Sequence, residues 1–557
     1  MTVRSADARC RVGVTESQPE RARNKTIRRA DWRFLLPDPR PGASVCFSDG
    51  LLAAAVASIS DRVIAGERAV DDQCDLAVAT NPAQDTLRAA WAALHPGGSC
   101  YTEWYRPLSG GAKGVRRRLE AVGFDDVTCY WAWPWPSRAS ALFWLPLGAH
   151  NALRYFAANR PKSRLFVGRL AHAAREALWA LSVGTNLALP VCAVARKPPR
   201  PDDPESVAAP RVSPGERDMN HSPLSMIRAR WPTWDFGPTP STLSLLLLTG
   251  GPRSISKIVA LVFADSEREP ALAVKMARVP ESVPALAREA ATLRALQVLQ
   301  PDRRRGVPRV LFCDEHAGLL AVGETALTGV PLSMIVGEAN YRDIALKATG
   351  WLADFAGRPR PAAPSNWWDR LVEPLLADFG DAFGPVVDRA MLDETRAILS
   401  ALGSLPLVCE HRDFSPWNVL MDATGELVVL DWESSEREGL PALDLVYFLA
   451  YLSFFVDGSM RSGHLRESYR ASLDPTTRAG SVRRECLGRY AGQTGIDPAA
   501  LKPLCLLVWL LHSRSEYGQF LADTAGKPTE AQLRHSVFLG LWEEELRSNV
   551  NHPGRMS

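Results

Sequence analysis

Apolar and polar positions fall into two differently patterned stretches, separated by a charged, proline-rich one. Ala43 to Phe47 predicts a short strand, and Leu51 to Ser58 a helix of small apolar residues. DRVIAGE (61–67) and CDLAVATNP (74–82) read as strands, and Asp85 to Leu94 has helical spacing that stops at His95-Pro96-Gly97-Gly98. SCYTEWY (99–105) is strand-like, GAKGVRRRLEAVGF (111–124) is a helix stopped by Gly123, and DVTCYWAW (126–133) is another strand. Strands alternating with helices predict an α/β layered sheet. Residues 134–196 are aromatic and then Arg- and Ala-rich, including the helix-like AHAAREALWALSVG. They read as covering helices that bury their Trp and Phe residues, or else as a lipid- or glycan-facing surface.

Lys197 to His221 is rich in Pro and charge and poor in aliphatics, so it cannot bury enough surface to order itself. A domain boundary is expected there. Beyond it the pattern changes. LSLLLLTGG (243–251), PRSISKIVALVF (252–263) and PALAVKMAR (270–278) predict three strands, the first turn carrying Gly250 and Gly251. ALAREAATLRAL reads as a helix, residues 307–332 as two strands, and 341–357 and 367–402 as helices. NVLM, the turn Asp422-Ala423-Thr424-Gly425 and ELVVLDW predict a hairpin, followed by the apolar helix GLPALDLVYFLAYLSFF.

Composition excludes more than it suggests. The 557 residues are 46% hydrophobic and 23% charged with a net charge of +3, which fits a globular protein of at least two domains. No basic face marks a nucleic-acid binder. The ten cysteines stand singly, without C-x-x-C or H-E-x-x-H, so no zinc site or disulfide framework is expected. No apolar run has the length of a membrane span. Residues 1–30 are Arg-rich without an apolar core, which reads as a disordered basic arm or a mis-assigned start, and a cytoplasmic location is expected.

The chemistry concentrates between Cys409 and Ser435, CEHRDFSPWNVLMDATGELVVLDWESS. A hairpin there brings Asn418 and Asp431 to one site, with Asp413 on the loop leading in. A carboxylate and an amide oxygen suit Mg²⁺, a hard cation that prefers oxygen ligands. A second carboxylate, kept off the metal, can take the proton of an attacking hydroxyl. Upstream, Lys275 lies in an apolar strand, where a lone cation is costly unless paired. Glu289 follows fourteen positions later in a helix.

His411-Arg412-Asp413 with Asn418, then Asp431-Trp432-Glu433, resembles the catalytic and metal loops of the aminoglycoside phosphotransferase/choline kinase family, relatives of the protein kinases. The resemblance implies ATP and Mg²⁺ as cofactors and a hydroxyl as acceptor. It implies Asp413 as catalytic base, His411 as a brace for the loop, and Asn418 and Asp431 as metal ligands. Lys275 set by Glu289 would hold the ATP phosphates, under a turn with Gly250 and Gly251. GETALTGVPL resembles the hinge, where backbone groups of Glu324 to Ala326 would meet the adenine edge. Glu433 would position metal-bound water, and Asp444 would support the catalytic loop or simply cap its own helix. Ser415 replaces the lysine of protein kinases, and only twelve residues separate Asp431 from Asp444. That leaves no room to dock a peptide and favours a small-molecule acceptor, with Trp367, Trp368, Glu516 and Tyr517 as candidate recognition groups.

CDLAVATNP, ALHPGGSCYTEWY and LEAVGFDDV resemble the C-terminal half of a class I S-adenosylmethionine-dependent methyltransferase. The turn VCFSDGLLA offers Gly50 alone where that family needs a glycine-rich approach to the cofactor, and Glu67 is the candidate ribose-binding acid. The expected architecture is thus two-domain. An N-terminal α/β sandwich, degenerate and methyltransferase-like (31–196), precedes the linker (197–221). A C-terminal α+β bilobal protein-kinase-like fold follows, with a nucleotide-binding lobe (222–330) and a catalytic lobe (331–550). The rival readings are a bifunctional protein with a working methyltransferase half and a non-catalytic nucleotide-binding scaffold.

Overall fold

A computed structural model describes residues 18–66, 71–106, 109–139, 141–158, 190–199, 223–250, 256–299, 306–316, 318–356, 367–523 and 527–551. Seven strands come from the first part of the chain: β1 (Ala43–Cys46), β2 (Arg62–Ala65), β3 (Cys74–Thr80), β4 (Leu94–Trp104), β5 (Asp125–Trp133), β6 (Phe143–Pro146) and β7 (Val191–Arg196). Strands β2, β1, β3 and β4 are mutually parallel, and β7 runs antiparallel between β4 and β5. The helices Gly50–Ile59, Gln84–Ala93 and Gly111–Glu120 connect them and bury Leu52, Val56, Leu87, Val115 and Leu119 against the sheet.

The next five strands are β8 (Leu243–Leu248), β9 (Ile258–Ala264), β10 (Leu272–Met276), β11 (Val310–His316) and β12 (Leu319–Thr325), all joined antiparallel. They do not form a separate sheet. Strand β6 pairs with β8 through Phe143↔Leu248 and Trp144↔Leu247, giving one twelve-stranded sheet in the order β11-β12-β10-β9-β8-β6-β5-β7-β4-β3-β1-β2. An apolar β8 left at an edge would present unpaired backbone groups beside exposed leucines, and β6 covers them.

Three expectations change. The disordered arm fails for residues 18–30, because Gln18–Arg29 is a helix and Ala30 to Leu36 are buried. Arg29 makes a two-pronged bond to Glu103 on β4 (2.7 and 2.6 Å), and Trp32 stacks on Tyr101 at 4.0 Å. Asp31 accepts from Arg278 just beyond β10 (3.0 and 3.2 Å), so this segment ties the two parts of the sheet together. Of the covering helices expected over 134–196, the described residues hold His150–Ala158, and the rest of what is described includes strands β6 and β7. Phe143 and Trp144 are buried on β6, Trp131 on β5 and Phe156 on the helix His150–Ala158, whereas Trp133 and Trp135 are exposed. AHAAREALWALSVG, Glu67 and most of the Pro-rich linker lie outside the described residues. Finally, the helix does stop before His95, at Ala93, but the next strand does not wait for Ser99: β4 begins at Leu94 and runs through His95 to Gly98 past a register irregularity.

The C-terminal part of the chain is helical around a small hairpin sheet. Strands β13 (Val330–Pro331), β15 (Val419–Met421) and β16 (Leu427–Val429) form one sheet, with β14 (Val408–Glu410) paired to β17 (Glu436–Gly439) beside it. The stretch 367–402 is two helices, Glu373–Phe383 and Arg389–Ser400, with a wider turn over Trp368–Val372. In the core of the lobe Pro498–Asp523 packs against both Leu443–Val456 and Val537–Asn551. Among the described residues no single helix is long and apolar enough to cross a membrane.

Arg278 is fully buried, and it also donates to the Thr249 carbonyl at the end of β8 (3.0 Å). Removing one partner of a buried ion pair strands the other charge. Asp31→Ala should therefore lower stability by about 3–5 kcal/mol. Chemical denaturation of the full chain measures it, with the exposed Asp85→Ala as a control within about 0.5 kcal/mol of wild type.

Candidate active site

The site is built where the twelve-stranded sheet faces the hairpin. Lys275 points from β10 into a fully buried environment and pairs with Glu289 on the helix Val283–Leu299. Its second partner is the Glu324 side chain at 2.9 Å. Burial alone would lower the lysine, but Glu289 and Glu324 outweigh it and hold the ammonium above the usual range. Burial pushes Glu324 up to about 7 against the pull of Lys275.

On the other side, β14 delivers His411, Arg412 and Asp413. Asp444, in the first turn of Leu443–Val456, accepts from the backbone N–H of His411 (2.6 Å) and of Arg412 (2.8 Å). Its carboxylate therefore braces a loop more than thirty residues away. The imidazole of His411 donates from Nε2 to the Leu430 carbonyl (3.0 Å) and accepts at Nδ1 from the Asp413 N–H (3.2 Å). Burial lowers its pKa to about 4, so it works as a neutral strut between the two loops. Asn418 donates from Nδ2 to the carboxylate (2.9 Å) and carbonyl (3.0 Å) of Asp413, which leaves the amide oxygen as its ligand atom. The Asn418 carbonyl accepts from Leu430, one residue before Asp431.

Arg412 (φ 61°) and Asp431 (φ 72°) both adopt left-handed backbone, rare for residues with a side chain and concentrated at functional sites. The turn after Asp431 is tied across by the Trp432 N–H, which donates to Glu289 (2.9 Å). Ligand oxygens of Glu289, Asp431 and Glu433 consequently lie within 4.8 Å of one another. Three carboxylates converging at that spacing fit a hard divalent cation such as Mg²⁺. The carboxylates are bridged by a residue that the motif comparison missed. Lys257, at the start of β9, reaches Glu289 (3.0 Å) and Glu433 (3.1 Å) and is also bonded to Asp431. A signal was present: like Lys275, Lys257 is a lone cation against an apolar strand.

Residues 260–479 match the model of the phosphotransferase enzyme family, APH. Solved structures similar to the chain include a thermostable mutant of aminoglycoside phosphotransferase APH(4)-Ia in ternary complex with ADP and hygromycin B (14% identity, TM-score 0.35, 58% of this chain and 97% of that one). Another is aminoglycoside phosphotransferase APH(3'')-Id from Streptomyces rimosus (14% identity, TM-score 0.31, 52% and 97%). A third is the gentamicin complex of APH(2")-IIa (13% identity, TM-score 0.32, 59% and 96%). Likeness at that level adds no argument about this chain. No curated protein sequence matches it.

Within the stretch matched to the phosphotransferase family, the structure brings together Lys275, Glu289, Glu324, His411, Asp413, Asn418 and Asp431. Other expected positions differ. Glu324 contributes its side chain rather than a hinge carbonyl, since its backbone lies between β10 and β11. The Ala326 N–H is bonded to the Ala271 carbonyl (3.1 Å) and that of Thr325 to Arg309, because β12 continues that far. Gly250 lies two residues beyond the end of β8 with no protein atom within 4 Å of where a Cβ would stand, and Gly251 lies outside the described residues. Of the recognition candidates, Trp367 is buried against Trp368, Glu516 accepts from Ser536, and Tyr517 packs on Phe383. Trp367, Trp368 and Tyr517 pack on the helical core.

The loop that carries Asp413 also carries a pH dependence. Burial raises Glu410 to about 7, against the pull of Arg412 at 3.0 Å, and raises Asp444 to about 6. Both acids bind protons more tightly folded than unfolded, so their contribution to stability falls as pH climbs from about 4 to about 7. Glu410→Gln removes its share of that loss. Melting temperatures measured from pH 5 to 8 should decline less steeply in the variant than in wild type.

Proposed function

We propose that the C-terminal part is an ATP- and Mg²⁺-dependent phosphotransferase acting on a hydroxyl of a small molecule. One observation carries the reading: the Asp413 carboxylate is held by Asn418 next to a convergence of Glu289, Asp431 and Glu433, with Lys275 set by Glu289 on the facing lobe. Asp413 would orient the acceptor hydroxyl and take its proton as the oxygen attacks the γ-phosphorus and the bond to the departing ADP breaks. Lys275 would bind the α- and β-phosphates as a fixed point charge. Asp431 and Glu433, with the Glu289 oxygen that converges on them and the Asn418 amide oxygen, would hold Mg²⁺, which when bound neutralises charge on the phosphate oxygens. The neutral His411 strut and Asp444 keep Asp413 in register. Ser415 and the short interval to Asp444 support a small acceptor over a peptide.

For the N-terminal half, the parallel β2-β1-β3-β4 arrangement supports the methyltransferase-like reading in a structural, cofactor-free form. The turn after β1 is closed upon itself, with Ser48 donating to Thr80 across the ends of β1 and β3 (3.1 Å). S-adenosylmethionine titrated into the full-length protein should give no saturable micromolar binding by calorimetry; saturation would restore the bifunctional alternative.

The principal test is ATP turnover against a panel of aminoglycosides, sugars and amino alcohols. Asp413→Asn should lower turnover of the accepted substrate by about 10²–10⁴-fold. Equal rates in variant and wild type would remove the catalytic-base assignment; no turnover above background in either protein would favour a nucleotide-binding scaffold.

A further inference from the structure

Lys257 belongs to no motif discussed above and stands just outside the span matched to the phosphotransferase family. Its backbone sits where the turn between β8 and β9 re-enters the sheet, the turn expected to lie over the phosphates. Its side chain is only 14% exposed, and its ammonium contacts all three carboxylates of the candidate metal position at once. Burial works against that charge, but Asp431, Glu289 and Glu433 outweigh it and hold the ammonium well above the usual lysine range. Glu289 is fully buried and Asp431 and Glu433 are partly so, with oxygens within 4.8 Å of one another. Like charges at that spacing repel strongly in a low-dielectric setting unless a cation lies between them. Here the cation is Lys257.

An ammonium and a divalent cation cannot share the space. Both would draw on the same carboxylate oxygens, and two cations a few ångströms apart in a poorly screened site repel each other. We propose that Lys257 is a built-in counter-ion of the metal position: it neutralises Glu289, Asp431 and Glu433 in the resting protein and competes with the divalent cation for them. The identity of the position as a metal site rests on the phosphotransferase reading; the competition rests on the geometry of Lys257. On the phosphotransferase reading the nucleotide phosphates meet the same metal position, so they offer the displaced ammonium an alternative anion. Divalent cation and nucleotide should therefore enter together, and the nucleotide-free protein should hold the cation weakly.

The test uses full-length, nucleotide-free protein and Mn²⁺, whose free form is read by electron paramagnetic resonance. Lys257→Met should bind one Mn²⁺ about tenfold or more tighter than wild type. Lys257→Arg, which keeps the charge, should bind as weakly as wild type, and Asp431→Asn added to Lys257→Met should abolish the gain. In EDTA, Lys257→Met should melt below wild type and recover more than wild type on adding Mn²⁺. Equal Mn²⁺ affinity in wild type and a folded Lys257→Met would overturn the proposal. If Lys257→Met and Lys257→Gln fold only with Mn²⁺ present, the proposal is supported; if both stay unfolded with and without it, the lysine serves the fold and the proposal fails. These binding readouts are separate from turnover. Loss of the Asp413 dependence with the Mn²⁺ pattern intact would sink the phosphotransferase reading and leave the counter-ion standing.

Discussion

A single buried carboxylate, Glu289, holds the site together. It is fully excluded from solvent, a position in which an ionised group is expensive unless it is paired and hydrogen-bonded. Burial opposes its ionisation, but Lys257 and Lys275 outweigh it and keep the carboxyl below the usual range. The remaining bond comes from the Trp432 N–H. Those three donors come from β10, from the foot of the β8–β9 turn and from the hairpin of the catalytic lobe. Satisfying one charge therefore ties three parts of the chain together, and separating the two lobes would break the Trp432 bond and take Lys257 away from Asp431 and Glu433.

The sheet behind the site works on the same principle at larger scale. Strand β10 carries Lys275 and is continued by Arg278, whose guanidinium is shared between Asp31 and the Thr249 carbonyl. The N-terminal segment thereby reaches the strand of the lysine and the end of β8, while Arg29 and Trp32 hold it to β4. Arg33 adds a bond to the Arg278 carbonyl. Each of these charges is buried, so each is tolerated only with its partner in place. The N-terminal half acts as the other side of the nucleotide lobe's own sheet.

The catalytic loop shows why the acids are arranged with so many backbone donors. Arg412 and Asp431 sit in left-handed backbone that their own side chains disfavour. Asp444, the His411 ring and Asn418 over-determine the conformation between them, so the strain is held by bonds on both sides of Asp413. Asp413 is thus aimed from both sides by groups that are themselves fixed.

The sequence alone determined the parts whose chemistry is local. His411, Asp413, Asn418 and Asp431 lie close along the chain, and a turn at Asp422–Gly425 is enough to fold their hairpin. Lys275 and Glu289 were legible because a lysine in an apolar strand needs a partner within reach. Alternation of strands and helices gave the N-terminal α/β layer for the same reason. Tertiary structure decided what depends on contacts between distant segments. Strand pairing leaves no mark in either strand, so nothing in Phe143–Trp144 or Leu247–Leu248 announced that β6 and β8 would join two expected domains into one sheet. Arg28 and Arg29 fall in the stretch that reads as a disordered arm, and only the distant Glu103, which takes both prongs of Arg29, makes a buried place for that charge. Lys257 stands against an apolar strand as Lys275 does, but its partners Asp431 and Glu433 lie more than 170 residues away, and only the convergence of three acids from two lobes gave its ammonium a place.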